Sequence, residues 1–255
     1  MPKLSVKTDV FKDSVYLTHI PRLGRIQIMT GIVDYNAGNI KSVERALDAI
    51  KAPYIISKKP SDLANVDRLI FPGVGEAKYA MEQLKLTGFD SFLKDWTQAG
   101  KPLMGICLGS QIIFDYSEEG DTKCLGLVAG TIRHFKSLWK ERLPAKEEME
   151  ETAVTCTELK VPQIGWNDVK FMNGSSSLLN GVDDSTSFYF VHSYVIQPDD
   201  PAVIKGVATY GTMVPAIIEY GNITAFQFHP EKSGEPGLRI LRNFTAPDTD
   251  GGKSC

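Results

Sequence analysis

One cysteine lies in a sequence setting typical of a nucleophile. Cys107 is the centre of Gly105-Ile106-Cys107-Leu108-Gly109, between an apolar stretch and a helical pattern. In a nucleophile elbow, a sharp strand-to-helix turn strains the central residue, and small residues two positions to either side avoid clashes. The start of a helix also favours a thiolate. A buried structural cysteine is the alternative, and the flanking strand and helix patterns make the nucleophile the better interpretation.

A second segment offers a base and a carboxylate. A strand-like stretch leads into His229-Pro230-Glu231. A thiol nucleophile needs a base that takes its proton and a carboxylate that holds the imidazole in one tautomer. His229 and Glu231 fit these roles, although a histidine at a strand end is often structural. His192 is the serious competitor as the base, and without a carboxylate close in sequence we interpret it as a pocket-wall residue.

A glycine-rich turn could stabilise the oxygen of a tetrahedral intermediate. Pro72-Gly73-Val74-Gly75 follows an apolar strand, and its glycines allow the backbone N–H groups of Gly73 and Val74 to reorient. The N–H of Leu108, directly after the nucleophile, is the natural second donor. An ordinary glycine-rich turn explains the same residues equally well.

The elements that position these residues alternate along the first half of the chain. Strands are predicted at 26–33, 54–56, 68–71 and 102–106, and helices at 40–50, 76–85 and 89–98. Asn39 is expected to cap the first helix, and Pro53 to end it. Short apolar strands between amphipathic helices predict an α/β fold with a mainly parallel sheet covered on both faces.

The second half of the chain does not show this regular alternation of strands and helices. Residues 136–160 are rich in lysine and glutamate, which predicts a charged surface insertion. We expect strands at 187–194, 203–208, 214–220 and 223–228, which are close enough in sequence for antiparallel pairing. A last helix is expected at 236–244. We therefore expect one domain over 26–244, an extension at 1–25 that is flexible, and a disordered tail at 245–255.

Composition excludes several classes of function. A net charge of −3 provides no general basic field for nucleic acid. No apolar run approaches the roughly 18–20 residues that cross a bilayer. The four cysteines form neither a disulfide framework nor a CxxC pair, so we expect reduced thiols inside the cell and neither a metal nor an organic cofactor. The basic residues at 1–25 leave open a plastid transit peptide instead of a cytoplasmic protein.

Taken together, these segments resemble those of a known enzyme family. The chain is similar to the class I (triad) glutamine amidotransferases, and most similar to the glutaminase part of imidazole glycerol phosphate synthase of histidine biosynthesis. The matching segments, in family order, are Val33-Asp34-Tyr35-Asn36-Ala37-Gly38-Asn39, Phe71-Pro72-Gly73-Val74-Gly75, Gly105-Ile106-Cys107-Leu108-Gly109, Pro162-Gln163-Ile164-Gly165-Trp166-Asn167, Tyr189-Phe190-Val191-His192-Ser193-Tyr194 and Gln227-Phe228-His229-Pro230-Glu231-Lys232-Ser233-Gly234.

The resemblance implies a flavodoxin-like fold, a Cys-His-Glu triad and a reaction. Cys107 would attack the side-chain amide of L-glutamine, form a glutamyl thioester and release ammonia, with His229 and Glu231 completing the triad. The residues implied near glutamine are Gly75, Gln111, Ser193 and Tyr194.

The resemblance also implies a protein partner. A cyclase (β/α)8 barrel, as a separate subunit or a fused domain, would use the ammonia to form imidazole glycerol phosphate and aminoimidazole carboxamide ribotide. The residues implied at the partner interface and ammonia gate are Asn39, Trp166, Asn167 and Lys232. In this family the glutaminase is nearly silent until the partner binds its ligand, and rearrangement of the 72–75 turn is the implied switch.

Departures from the family pattern leave the triad intact. Ser110 and Gln163 stand where other residues are more usual in the family, and these departures bear on partner affinity and gating. Three alternatives stay open at this stage: a glutaminase that serves another synthase, a thiol hydrolase that needs no partner, and a catalytically silent regulatory homologue.

Overall fold

The centre of the fold is a run of five parallel strands. The computed structural model describes residues 16–18, 28–142, 159–172, 174 and 176–247. The five strands, in their order across the sheet, are β3 (Tyr54–Ser57), β2 (Thr30–Val33), β4 (Arg68–Gly73), β5 (Leu103–Cys107) and β14 (Ile223–Phe226). This order is that of the flavodoxin-like fold, which confirms the predicted fold class. Strands β2, β4, β5 and β14 are buried along their whole length, as parallel strands covered on both faces should be.

Helices cover both faces of these strands. The α-helices of the described residues are α1 (Ile40–Ile50), α2 (Pro60–Leu63), α3 (Ala77–Thr87), α4 (Phe89–Gln98), α5 (Leu108–Gln111), α6 (Phe135–Arg142) and α7 (Gly234–Thr245). Along β4, Leu69 and Phe71 face a core with α3 and α4, whereas Ile70 faces the core with α1 and α7. Asn39 is the N-cap of α1, as predicted, but its side chain makes no capping hydrogen bond.

The antiparallel portion extends the same sheet and forms a second one. Beyond β14 the sheet continues with β13 (Met213–Tyr220), β12 (Ile204–Thr209), β9 (Gln163–Phe171) and β10 (Thr186–His192). The second sheet contains β11 (Tyr194–Pro198), β8 (Gly130–His134), β6 (Tyr116–Ser117) and β7 (Thr122–Lys123). The stretch predicted as one strand at 187–194 is therefore divided at Ser193, with each half in a different sheet.

The expected appendages differ in part from the prediction. Residues 16–18 of the extension form β1 (Tyr16–Thr18), which pairs antiparallel with β3, and the other residues of 1–25 lie outside the described part. The predicted charged insertion begins with α6, where Leu138 and Trp139 are buried and the Trp139 ring packs against the rings of Phe135 and Tyr210. The expectation of a solvated segment is therefore wrong for α6, because its apolar side chains complete a core cluster. Residues 143–158 and 248–255 fall outside the description.

The fold brings the predicted functional segments to one edge. The loops that follow β2, β4, β5 and β14 all leave the carboxyl ends of neighbouring parallel strands, where ligands bind in open α/β sheets. Among the described helices, none is long and apolar enough to cross a membrane.

Candidate active site

Cys107 sits on a strained turn. It is the last residue of β5, and α5 begins at the next residue. Its φ of 54° and ψ of −112° are rare for a residue with a side chain, which is the strain expected of a nucleophile elbow. A methyl group on Gly109 would lie 2.0 Å from the carbonyl oxygen of Phe71, so only glycine fits there. The G-x-C-x-G spacing is thus a packing requirement of this turn.

The thiol is held in place and largely hidden. Cys107 is 7% exposed, and its Sγ lies 3.7 Å from the carbonyl oxygen of Val191. The helix that follows spans only four residues, so a long helix dipole cannot favour the thiolate as the sequence suggested. Cys124 is also buried, and burial raises the pKa of its thiol to about 12, which makes it unreactive.

His229 and Glu231 form a buried pair. His229 comes three residues after β14, and its backbone N–H donates to the Tyr189 carbonyl at 2.9 Å. Its ring Nδ1–H donates to Oε1 of Glu231 at 2.7 Å, with both side chains 2% exposed or less. The turn Pro230–Lys232 makes this two-residue spacing possible. Nε2 of His229 has no hydrogen-bond partner among the described residues, so it is the atom available for proton transfer.

The electrostatics separate the two buried histidines. Burial lowers the pKa of His229, but the thiolate of Cys107 and the Glu231 carboxylate outweigh it and raise the pKa to about 10. His192, in contrast, has its pKa lowered to about 4 by burial, and its Nδ1–H donates to the Tyr194 carbonyl at 2.7 Å. His229 therefore holds a proton when the thiolate forms, and His192 stays neutral.

A pocket of about 320 Å³ opens over the cysteine. The predicted residues that line it are Val74, Gly75, Cys107, Leu108, Gln111, Ser193, Tyr194, His229 and Lys232. His192 lines it too, as interpreted from the sequence. Of the remaining predicted residues, Glu231 lies behind His229. The others do not line the pocket, and they are Gly73, Asn39, Trp166 and Asn167.

Gln111 presents its side-chain carbonyl oxygen to the pocket. Its side-chain Nε2 donates to the Tyr194 carbonyl at 3.0 Å and to Oε1 of Gln227 at 2.8 Å. Both amide hydrogens are then in use, so the side-chain carbonyl oxygen is the group left to meet a ligand. Such an acceptor suits an ammonium or amide N–H.

The 72–75 turn is not arranged as an oxyanion hole in this structure. The N–H of Val74 donates to the Ala37 carbonyl at 3.3 Å, on the loop after β2. It therefore cannot at the same time stabilise an oxygen above Cys107. The expected rearrangement of the 72–75 turn stays a prediction, and in this conformation the 34–39 loop binds the Val74 N–H through the Ala37 carbonyl.

Sequence reasoning missed Glu119 in the pocket. Glu119 lines the pocket and accepts a hydrogen bond from the Ala77 N–H at 2.9 Å. Burial raises the pKa of its carboxyl, with Glu76 adding to the effect. Its neighbour Glu118 is instead paired with Arg133 at 3.1 Å outside the site. Nothing in the sequence distinguishes two adjacent glutamates, so only the fold could single out Glu119. Pro162 and Val191 are further pocket residues that we did not predict.

An exposed apolar patch adjoins the pocket. Ile164 and Trp166 point from the same face of β9 and are 62% and 56% exposed. The Trp166 ring lies 6.1 Å from the ring of Tyr189, and the Nζ of Lys232 lies 5.9 Å from that same ring. Asn167 accepts a hydrogen bond from the Gln163 side chain at 2.8 Å. Within the described ranges, no group of three or more potential metal ligands is present.

This fold and site define a class of protein. Residues 31–246 match the family model described as glutamine amidotransferase class-I, and the chain belongs to that family. Solved structures agree on the fold: one titled a glutamine amidotransferase has a TM-score of 0.62 at 16% identity, covering 85% of this chain and 99% of its own. PurLQS from Thermotoga maritima has a TM-score of 0.59 at 16% identity, covering 86% and 98%.

Relatives with higher identity point to a particular member of the family. The chain is 46% identical over 218 residues to the imidazole glycerol phosphate synthase subunit HisH of Nitratidesulfovibrio vulgaris (strain DSM 19637 / Miyazaki F), which covers 86% of this chain and 96% of that protein. It is 42% identical over 219 residues to the subunit of the same name from Halalkalibacterium halodurans, covering 86% and 95%.

Proposed function

We propose that this chain is the glutaminase of imidazole glycerol phosphate synthase, which hydrolyses L-glutamine and passes ammonia to a cyclase. The observation that carries this proposal is the buried His229–Glu231 pair, joined at 2.7 Å, beside a strained Cys107 in one pocket. The identity with HisH subunits over most of their length supports the choice of synthase.

The chemistry follows from the triad. The Cys107 thiolate attacks the side-chain amide carbon, and a tetrahedral intermediate forms. His229 gives its Nε2 proton to the departing nitrogen, so ammonia leaves and a glutamyl thioester remains. Water then attacks the thioester with His229 as the base, and glutamate is released. Glu231 keeps the imidazole in the required tautomer and stabilises its charged form.

The pocket offers matched groups for the other end of glutamine. The Glu119 carboxylate and the Gln111 carbonyl oxygen are acceptors that suit the α-ammonium group. An ammonium beside Glu119 would also offset the effect of burial on its carboxyl pKa. Ser193 and Tyr194 line the pocket at the break between β10 and β11. We propose that they contact the remaining polar groups of the substrate.

Gating by the partner is part of the proposal. The Val74 N–H is bound to Ala37, so this conformation lacks one oxyanion donor. Rotation of the Gly73–Val74 peptide would aim that N–H at the oxygen over Cys107, with Leu108 as the second donor. We propose that a cyclase (β/α)8 barrel, separate or fused, docks on the patch around Trp166 and favours the rotated turn. Asn39, Asn167 and Lys232 belong to the same proposed interface.

The test measures glutamate release from glutamine, with and without a purified cyclase bound to its ligand. We expect strong stimulation by the liganded cyclase, and its loss in Cys107→Ala. The same variant should still support synthesis from added ammonium. Vigorous glutamine hydrolysis without any partner would contradict the gated function, and so would full activity of Cys107→Ala. Loss of ammonium-dependent synthesis in a correctly assembled Cys107→Ala complex would refute the division of labour.

A further inference from the structure

The hydroxyl of Tyr35 is buried and has no hydrogen-bond partner among the described residues. Tyr35 follows β2 and is 0% exposed, and its hydroxyl oxygen makes no hydrogen bond within the part of the chain described here. The ring is fixed against Phe71, with centroids 5.2 Å apart. Buried hydroxyls are nearly always paired, because leaving one unpaired costs free energy. The catalytic steps above make no use of this group, so its position calls for a reason.

The hydroxyl lies directly against the oxyanion turn. A methyl group built on Gly73 would be 2.7 Å from the Tyr35 oxygen, so the two residues are in close contact. Two residues further along the same loop, Ala37 accepts the hydrogen bond from the Val74 N–H at 3.3 Å. The 34–39 loop therefore contacts both residues of the Gly73–Val74 peptide. Ala37 accepts a hydrogen bond from Val74, and the Tyr35 hydroxyl contacts Gly73.

Rotation of the Gly73–Val74 peptide changes the hydrogen-bonding group that the 34–39 loop must provide from an acceptor to a donor. In a trans peptide the C=O of one residue and the N–H of the next point in opposite directions. When the Val74 N–H turns toward Cys107, the Gly73 carbonyl turns toward the loop that the N–H has left. Ala37 offers only its own carbonyl there, which cannot pair with another acceptor. The rotated carbonyl needs a donor. Two donors lie 2.7 Å from a methyl group built on Gly73, the Gly109 N–H and the Tyr35 hydroxyl, and Tyr35 is the one that belongs to the 34–39 loop.

We propose that Tyr35 is a positioning residue that donates its hydroxyl to the rotated Gly73 carbonyl and so stabilises the completed oxyanion hole. This inference rests on the proposed glutaminase function and on the rearrangement of the turn. Burial and the nearby Cys107 raise the pKa of Tyr35, so the hydroxyl keeps its proton and can donate throughout the working pH range. Glycine at 73 leaves the space that this contact needs.

The variant that tests the inference is Tyr35→Phe, which removes only the hydroxyl. Because the hydroxyl has no hydrogen-bond partner among the described residues in this conformation, we expect unchanged or higher thermal stability. With the liganded cyclase, kcat for glutamine should fall about tenfold, the effect of one lost hydrogen bond, at unchanged KM. Tyr54→Phe is the control, since that buried hydroxyl donates to Asp48 at 3.0 Å at the other end of the sheet. It should lower stability and leave the stimulation unchanged.

The outcomes separate the two proposals. If the wild-type protein is stimulated and Tyr35→Phe is stimulated equally, the role of Tyr35 is overturned and the proposed function stands. A fall in thermal stability together with equal losses of basal and stimulated activity would assign Tyr35 a structural role and overturn the inference. A wild-type protein that releases no glutamate with any liganded cyclase would overturn both.

Discussion

Replacing Glu231 with glutamine isolates the contribution of one buried charge. Glu231 accepts the Nδ1–H of His229 through Oε1, whereas its Oε2 has no hydrogen-bond partner among the described residues. Glutamine has the same shape, so its carbonyl oxygen can still accept from His229. Its NH2 group would replace an oxygen that is already unpaired. Glu231→Gln therefore removes the charge and largely keeps the geometry.

The magnitude follows from the strength of this hydrogen bond. A hydrogen bond to a charged group contributes about 1.5–3 kcal/mol. Glu231 stabilises His229 when the ring is protonated, which is the form that must give a proton to ammonia. Losing this stabilisation should lower partner-stimulated kcat by about one to two orders of magnitude. It should also lower the pKa of His229 from about 10, because Glu231 is one of the groups that raise it.

The assay compares glutamine-dependent and ammonium-dependent synthesis by the assembled enzyme, with the His229 ring titrated by NMR. Glu235→Gln is the matched control, because Glu235 is 64% exposed and pairs with Arg242 on the surface. We expect the control to behave as wild type, and ammonium-dependent synthesis to be normal in both variants. Unchanged glutamine-dependent kcat in Glu231→Gln would refute the assigned role, and so would an unshifted His229 titration.

Two further predictions concern stability. Between pH 6.5 and about 4 the unfolded chain binds a proton at His192 that the folded protein does not. The free energy of unfolding should therefore decrease as the pH is lowered through this window, by about 3 kcal/mol at most. Urea unfolding at several pH values measures this slope, and an equally steep slope in His192→Gln would contradict the assignment. Gly109→Ala should lower stability by at least about 2 kcal/mol and remove glutaminase activity, because its methyl group would lie 2.0 Å from the Phe71 carbonyl oxygen. A normal thermal midpoint in that variant would show that the elbow tolerates a side chain.

Much of the fold could be predicted from local pattern. The strands at 68–71 and 102–106 and the helix at 89–98 were found within a few residues of β4, β5 and α4. Buried parallel strands and amphipathic helices carry strong periodic signals, because each must bury a definite face. The stretch at 187–194 misled us, since its apolar pattern continues through Ser193 while the chain passes from one sheet to another. Periodicity does not record which sheet a strand joins.

The α6 segment illustrates the opposite error. Its lysines and glutamates suggested a solvated insertion, yet Trp139 packs against Phe135 and Tyr210. Charged residues around a few apolar ones are equally typical of an exposed loop and of a helix that buries one face. Only contact with the rest of the core distinguishes the two.

The chain's own sequence determined the reactive groups. A strained elbow requires glycine two residues to either side of Cys107, and a rigid link between His229 and Glu231 requires Pro230. Residue type and spacing therefore predict both of these local structures. The tertiary structure decided the contacts between residues that are far apart in the sequence. It selected Glu119 over Glu118 for the pocket, bound the Val74 N–H to Ala37, and buried the Tyr35 hydroxyl beside Gly73. Those contacts join residues on different strands and loops, and no local pattern encodes which of them come together.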